Sequence, residues 1–208
     1  MRLQQQAGLT HLDHNNTSLC TVTPTYDLGC PFGVKTKACP WGSVHNINKR
    51  PIGARIAAQI VQSINTPHPG VRKQWPGPTL VKVVAKKSVD SQGVTVTLTF
   101  AEGIMRAPTA YCDACCSRGT DFDVSGDNGR TWINSTLPHL VNGTADGTPS
   151  SLEFHVKEVV RVTHVRYTAN QPFPQCAVYS ASMGTASSPT LPFRVALDAD
   201  GEWHRQGV

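Results

Sequence analysis

His45 sits in the stretch Pro40-Trp41-Gly42-Ser43-Val44-His45-Asn46-Ile47-Asn48-Lys49-Arg50, and a segment with helical spacing follows directly. An imidazole titrates near neutral pH, so it can take a proton from a hydroxyl nucleophile and pass it to a leaving group. A His on a glycine-bearing loop, just past a strand and just before a helix, is where α/β hydrolases place a catalytic base. A surface imidazole without chemistry is the plain alternative. Ser43 is the serine nearest to His45 and reads as a loop hydroxyl. The chain has no Gly-x-Ser-x-Gly elbow, the turn that would expose a serine nucleophile at a strand end.

Two further constellations bear on chemistry. Cys112-x-x-Cys115-Cys116 has the spacing of half a zinc site, but the second pair that would complete a tetrahedral set is missing. Ser125-Gly126-Asp127-Asn128-Gly129-Arg130-Thr131-Trp132 fits the Asp-box pattern Ser-x-Asp-x-Gly-x-Thr-Trp. In that pattern the Asp caps turn amides and the Trp packs beneath, which makes a hairpin rather than a catalytic site. It stands here in a single copy, whereas a propeller needs repeats.

The elements that must position these residues follow from periodicity. Residues 51–64 form the one convincing helix. Ile52, Ile56, Ile60 and Ile64 recur every four residues, and Pro51 suits the first turn. Residues 29–50 are a loop broken by Gly and Pro. A strand is expected from Leu19 to Leu28, and residues 65–79 read as a linker. Everything beyond reads as β. Val81–Ala85 is a short strand, and Val94, Val96, Leu98 and Phe100 alternate with threonines. Phe122–Ser125 and Thr131–Ile133 flank a Gly-Asp-Asn-Gly turn. Leu152, Phe154 and Val156 alternate, and Val162–Tyr167 is a further strand. Residues 140–150 and 180–190 read as loops. Short strands with turns at this spacing predict a sandwich.

The chain of 208 residues, with Gly 17 and Pro 15, suits turns and strands rather than a helical bundle. The formal net charge of +5 is spread out, with no Lys or Arg block. It therefore reads as a mildly basic solvated surface rather than a nucleic-acid patch. No apolar run approaches the roughly 18 residues of a membrane span. Seven cysteines and sequons at Asn15, Asn16, Asn134 and Asn142 favour an oxidising, glycosylating compartment. The first ten residues lack a signal-peptide core. A C-terminal piece of a longer precursor would reconcile the two.

Tyr26-Asp27-Leu28-Gly29, then Pro-x-Gly-Ser-x-His-x-x-x-Lys around His45, then Ile52-Gly53-x-Arg55 resemble the last motif block of sialate O-acetylesterases. These are carbohydrate esterases of the SGNH-hydrolase superfamily. The resemblance continues through Gly77-Pro78, Val165-Arg166-Tyr167-Thr168, Gln175-Cys176-Ala177-Val178-Tyr179 and Leu191-Pro192-Phe193-Arg194, covering about residues 20 to 195. It implies a mixed α/β and β fold: the C-terminal remnant of an SGNH-type α/β hydrolase domain over residues 1–74, then a β-sandwich domain over residues 75–208. It also implies that His45 is the catalytic base of a Ser-His mechanism, with Asp27 as candidate orienting group. The substrate class would be O-acetylated sialic acid or another acetylated glycan. No cofactor or metal is needed, and no nucleic-acid partner is expected.

The chain departs from the family in several places. Gly42 stands where many superfamily members carry an orienting Asp, and Asn46 stands where a Pro usually follows the His. The Gly-Asp/Gln-Ser block that supplies the nucleophile is absent from these residues, so this chain alone is expected to be inactive. Cys30 and Cys39 bracket what looks like a small insertion that a disulfide would close. The resemblance implies a disulfide from Cys115 or Cys116 to Cys176, with Cys112 beside them. The odd count leaves Cys20 as the expected orphan. The expected compartment is the secretory pathway, lysosomal or extracellular. The competing reading is a non-catalytic carbohydrate-binding or adhesion sandwich, with Trp75, Trp132 and Trp203 as stacking surfaces.

Overall fold

The computed structural model describes residues 50–65, 77–88, 92–106, 122–136, 138–142, 150–167, 178–181 and 189–205. The boundary expected near residue 75 lies outside them, as does the strand expected at Leu19–Leu28. The helix expected from the isoleucine spacing is present as α1, Arg50–Asn65. Its Arg55 is buried, whereas Ile56 and Val61 are 43% and 56% exposed. No described helix is long and apolar enough to cross a membrane.

The rest of the described chain is antiparallel β. The strands are β1 (Leu80–Lys87), β2 (Val94–Phe100), β3 (Ile104–Arg106), β4 (Phe122–Ser125), β5 (Ile133–Asn134) and β6 (His139–Asn142). They continue with β7 (Ser150–Val156), β8 (His164–Tyr167), β9 (Val178–Ser180), β10 (Phe193–Ala196) and β11 (Glu202–His204). One sheet has the order β11-β1-β2-β7-β6, a second β10-β8-β4-β5, and β3 pairs with β9. The run expected to be loop from residue 140 onward instead begins within β6, which pairs with β7 through Leu140 opposite Leu152.

The alternation in β2 shows how sequence becomes layer. Successive side chains of a strand point to opposite faces. Val94, Val96, Leu98 and Phe100 are buried, and they stand opposite Val156, Phe154, Leu152 and Ser150 of β7. Their threonine neighbours form the other face, where Thr97 Oγ1 donates to Glu153 Oε2 at 3.3 Å and Thr99 Oγ meets Ser151 Oγ at 3.3 Å.

The second sheet contributes Phe122, Val124, Val165, Tyr167 and Val195 to the same core cluster. An aromatic chain joins the two sheets. Phe154 of β7 lies 5.3 Å from Phe122 of β4, Phe122 lies 4.7 Å from Tyr167 of β8, and Tyr167 lies 5.5 Å from Phe193 of β10. Aromatic pairs at these separations add about 0.5–1.5 kcal/mol each beyond burial. Tyr167 also uses its polar tip, since the buried Val178 N–H donates to its hydroxyl at 3.1 Å and anchors β9 to this core. Trp203 packs against the core from β11, opposite Val83. It remains partly exposed, as Trp132 does.

Candidate functional site

His45, Asp27 and Ser43 lie outside the described residues. So do Cys30, Cys39, Cys112, Cys115, Cys116 and Cys176, and the sequon residues Asn15 and Asn16. Among the described residues no three His, Cys, Asp or Glu side chains gather in a way that could hold a metal ion. Asn142 ends β6 opposite Ser151. Asn134 is exposed on β5, and its side-chain amide donates to Asp123 Oδ1 at 2.9 Å.

The Asp-box is built as its pattern implies. Asp127 Oδ1 accepts from the Ser125 hydroxyl at 2.7 Å, the Arg130 N–H at 3.1 Å and the Thr131 N–H at 2.8 Å. Asp127 Oδ2 accepts from the Thr131 hydroxyl at 2.6 Å and the Thr131 N–H at 3.1 Å. The Ser125 hydroxyl oxygen in turn accepts from the amides of Asp127 and Gly129. Each bond favours the ionised carboxylate. The Thr131 hydroxyl and N–H, followed by Ser125, hold Asp127 well below the usual carboxylate range. Asn128 and Gly129 both have positive φ, at 60° and 79°. A Cβ on Gly129 would overlap Arg194 Nη2. Glycine is therefore favoured there by the backbone conformation, while the exposed Arg194 side chain could swing aside for a larger residue. Asp127 is committed to the turn, which leaves it no evident catalytic use.

The turn places Trp132 over the outer face of the second sheet. Trp132 Nε1–H donates to the Gly129 carbonyl at 3.1 Å, which fixes the indole. Strand register then sets a row of polar residues across that face. Arg194 of β10 is the cross-strand partner of Arg166 of β8, Arg166 of Asp123 of β4, and Asp123 of Asn134 of β5. The Arg166 guanidinium lies 4.0 Å from the Trp132 ring centroid, and that of Arg194 lies 5.3 Å away. Arg166 Nε donates to Asp123 Oδ2 at 2.8 Å in a largely covered pair. His164 meets the Trp132 edge at 6.4 Å and 81°. Burial first, and then the Arg194 charge, lower the His164 pKa.

Comparison of the chain with models of known protein families, with curated proteins and with solved structures found no match. The Asp-box was visible in the sequence because its bonds span at most four residues. The Arg194–Arg166–Asp123–Asn134 row was not visible as a group. Its members come from four strands, and only the register brings them together. The one local sign was polar residues alternating with apolar ones in His164-Val165-Arg166-Tyr167 and Phe193-Arg194-Val195.

Proposed function

We propose that this chain is the C-terminal portion of a sialate O-acetylesterase-like carbohydrate esterase. In this reading, residues 75–208 are the β-sandwich that follows an SGNH-type hydrolase domain. His45 takes the proton from a serine hydroxyl supplied by another segment, and Asp27 orients the imidazole. The alkoxide attacks the acetyl carbonyl of an O-acetylated sugar, and the sugar alcohol departs with the proton from His45. Water, activated by the same base, then releases acetate from the acetyl-enzyme.

The observation that carries this reading is the pairing of β8 with β10. Val165-Arg166-Tyr167 and Leu191-Pro192-Phe193-Arg194 are two of the segments on which the family resemblance rests. They are far apart in the chain, yet Tyr167 pairs with Phe193 and Arg166 with Arg194. Two segments that carry the resemblance thus lie side by side in one sheet, which supports this reading.

The reading is tested by hydrolysis of an acetyl-ester chromogen and of 9-O-acetyl sialic acid. The 208-residue chain should be silent alone and active when joined to a serine-bearing hydrolase segment. His45→Ala should then abolish turnover. Turnover that survives His45→Ala would sink the assignment.

A second reading, a glycan-binding module without catalysis, is favoured by one observation: the Trp132 and arginine surface is carried by the strands and the Asp-box turn.

A further inference from the structure

The outer face of the second sheet brings two like charges side by side. Arg194 and Arg166 stand directly opposite one another on neighbouring strands, and like charges in that position are destabilising. Asp123 compensates Arg166 at 2.8 Å. The other nearby carboxylate, Asp127, is saturated by the turn. The Arg194 side chain makes no hydrogen bond or ion pair with any described residue, and it is exposed. Its guanidinium is nevertheless held in place. It sits beside the Trp132 ring at 5.3 Å and over Gly129, where any side chain would displace it.

We propose that Arg194 anchors a binding site for the carboxylate of an acidic sugar. A guanidinium fork presents two parallel N–H donors that match the two oxygens of a carboxylate. The ion pair would relieve the Arg194–Arg166 repulsion, so the unliganded face is poised for an anion. Trp132, half-buried and 5.3 Å from the Arg194 guanidinium, is the apolar neighbour against which sugar C–H groups would rest. The choice of an acidic sugar over a bare oxyanion rests on the glycan reading above, whereas the anion site itself does not.

The test is a titration of the full 208-residue chain, read by ¹⁵N NMR at the Gly129 amide and the Arg194 side chain. The probes are N-acetylneuraminic acid and glucuronic acid, with galactose and sodium sulfate as comparisons. Both acidic sugars should give saturable shifts in the millimolar range, up to about 20 mM, and galactose none. Arg194→Gln should weaken binding at least about tenfold. Arg194→Lys, which keeps the charge and loses the fork, should fall between. Gly129 shifts that do not saturate, or that persist in Arg194→Gln, would overturn the proposal. Sulfate binding as tightly as the acidic sugars would overturn the sugar assignment. Binding is read here without turnover, so loss of this site leaves the esterase test intact, and a silent esterase leaves this one intact.

Discussion

Tyr167→Phe removes one oxygen from the centre of the molecule and nothing else. Tyr167 and Val178 are both fully buried. The ring contacts at 4.7 Å to Phe122 and 5.5 Å to Phe193 would remain. What disappears includes the acceptor for the Val178 N–H at 3.1 Å. No water reaches that amide in a closed core, so the donor is stranded. An unsatisfied buried donor costs about 1–3 kcal/mol, more than the net worth of an ordinary hydrogen bond. For a chain of this size each kcal/mol lowers the melting temperature by about 2–4 °C, so a fall of roughly 2–12 °C is expected. Urea titration should show a lower midpoint at unchanged slope, because the surface exposed on unfolding is the same. Hydrogen exchange at Val178 should accelerate more than at Val96, deep in β2. A loss below about 0.3 kcal/mol with unchanged exchange at Val178 would refute the reasoning, because another acceptor would then have taken over.

Asp127→Asn tests the turn through its pH dependence. The folded chain holds the Asp127 carboxyl below its ordinary value, so unfolding takes up a proton in acid. The stabilisation is fully present above about pH 5 and is lost as pH falls below the unfolded value of about 3.9 toward the lower folded one. The variant should therefore melt a few degrees lower at pH 7, and the gap should shrink steadily as pH falls below about 4. A gap independent of pH would show that the charge is irrelevant. Ser150→Ala should act in the opposite direction to Tyr167→Phe. The Ser150 hydroxyl is buried opposite Phe100 and has no hydrogen-bond partner among the described residues, so its removal should stabilise by about 1 kcal/mol. Calorimetric destabilisation of that size would instead reveal a bond at that hydroxyl.

What the sequence disclosed depended on range. Helix α1, β2 and β7 were legible because their periodicity is local and long enough to register. The strands β3, β9 and β11 have three residues each, too few to establish a period. They exist because a partner distant in the chain accepts them, as β1 does for β11. Trp203 illustrates the same limit. Its type suited an exposed stacking surface, and only the pairing with Val83 places it against the core. In the candidate site, the Asp-box contacts were readable from spacing, whereas the arginine row required the register of four strands. The His45 loop and the cysteines lie outside the described residues, so their readings rest on the family resemblance.

The pairing of β11 with β1 also bears on how the chain is made. On the ribosome β1 emerges well before β11, and β2 can pair with one of its edges almost at once. The other edge must wait until Glu202–His204 has been synthesised, since Val83 pairs with Trp203. Throughout translation that edge carries unpaired amides and carbonyls, a template for wrong partners. Assembly of the five-stranded sheet is therefore a late, long-range event. Truncations that remove β11 should yield less protein through misassembly during synthesis, before any question of activity arises.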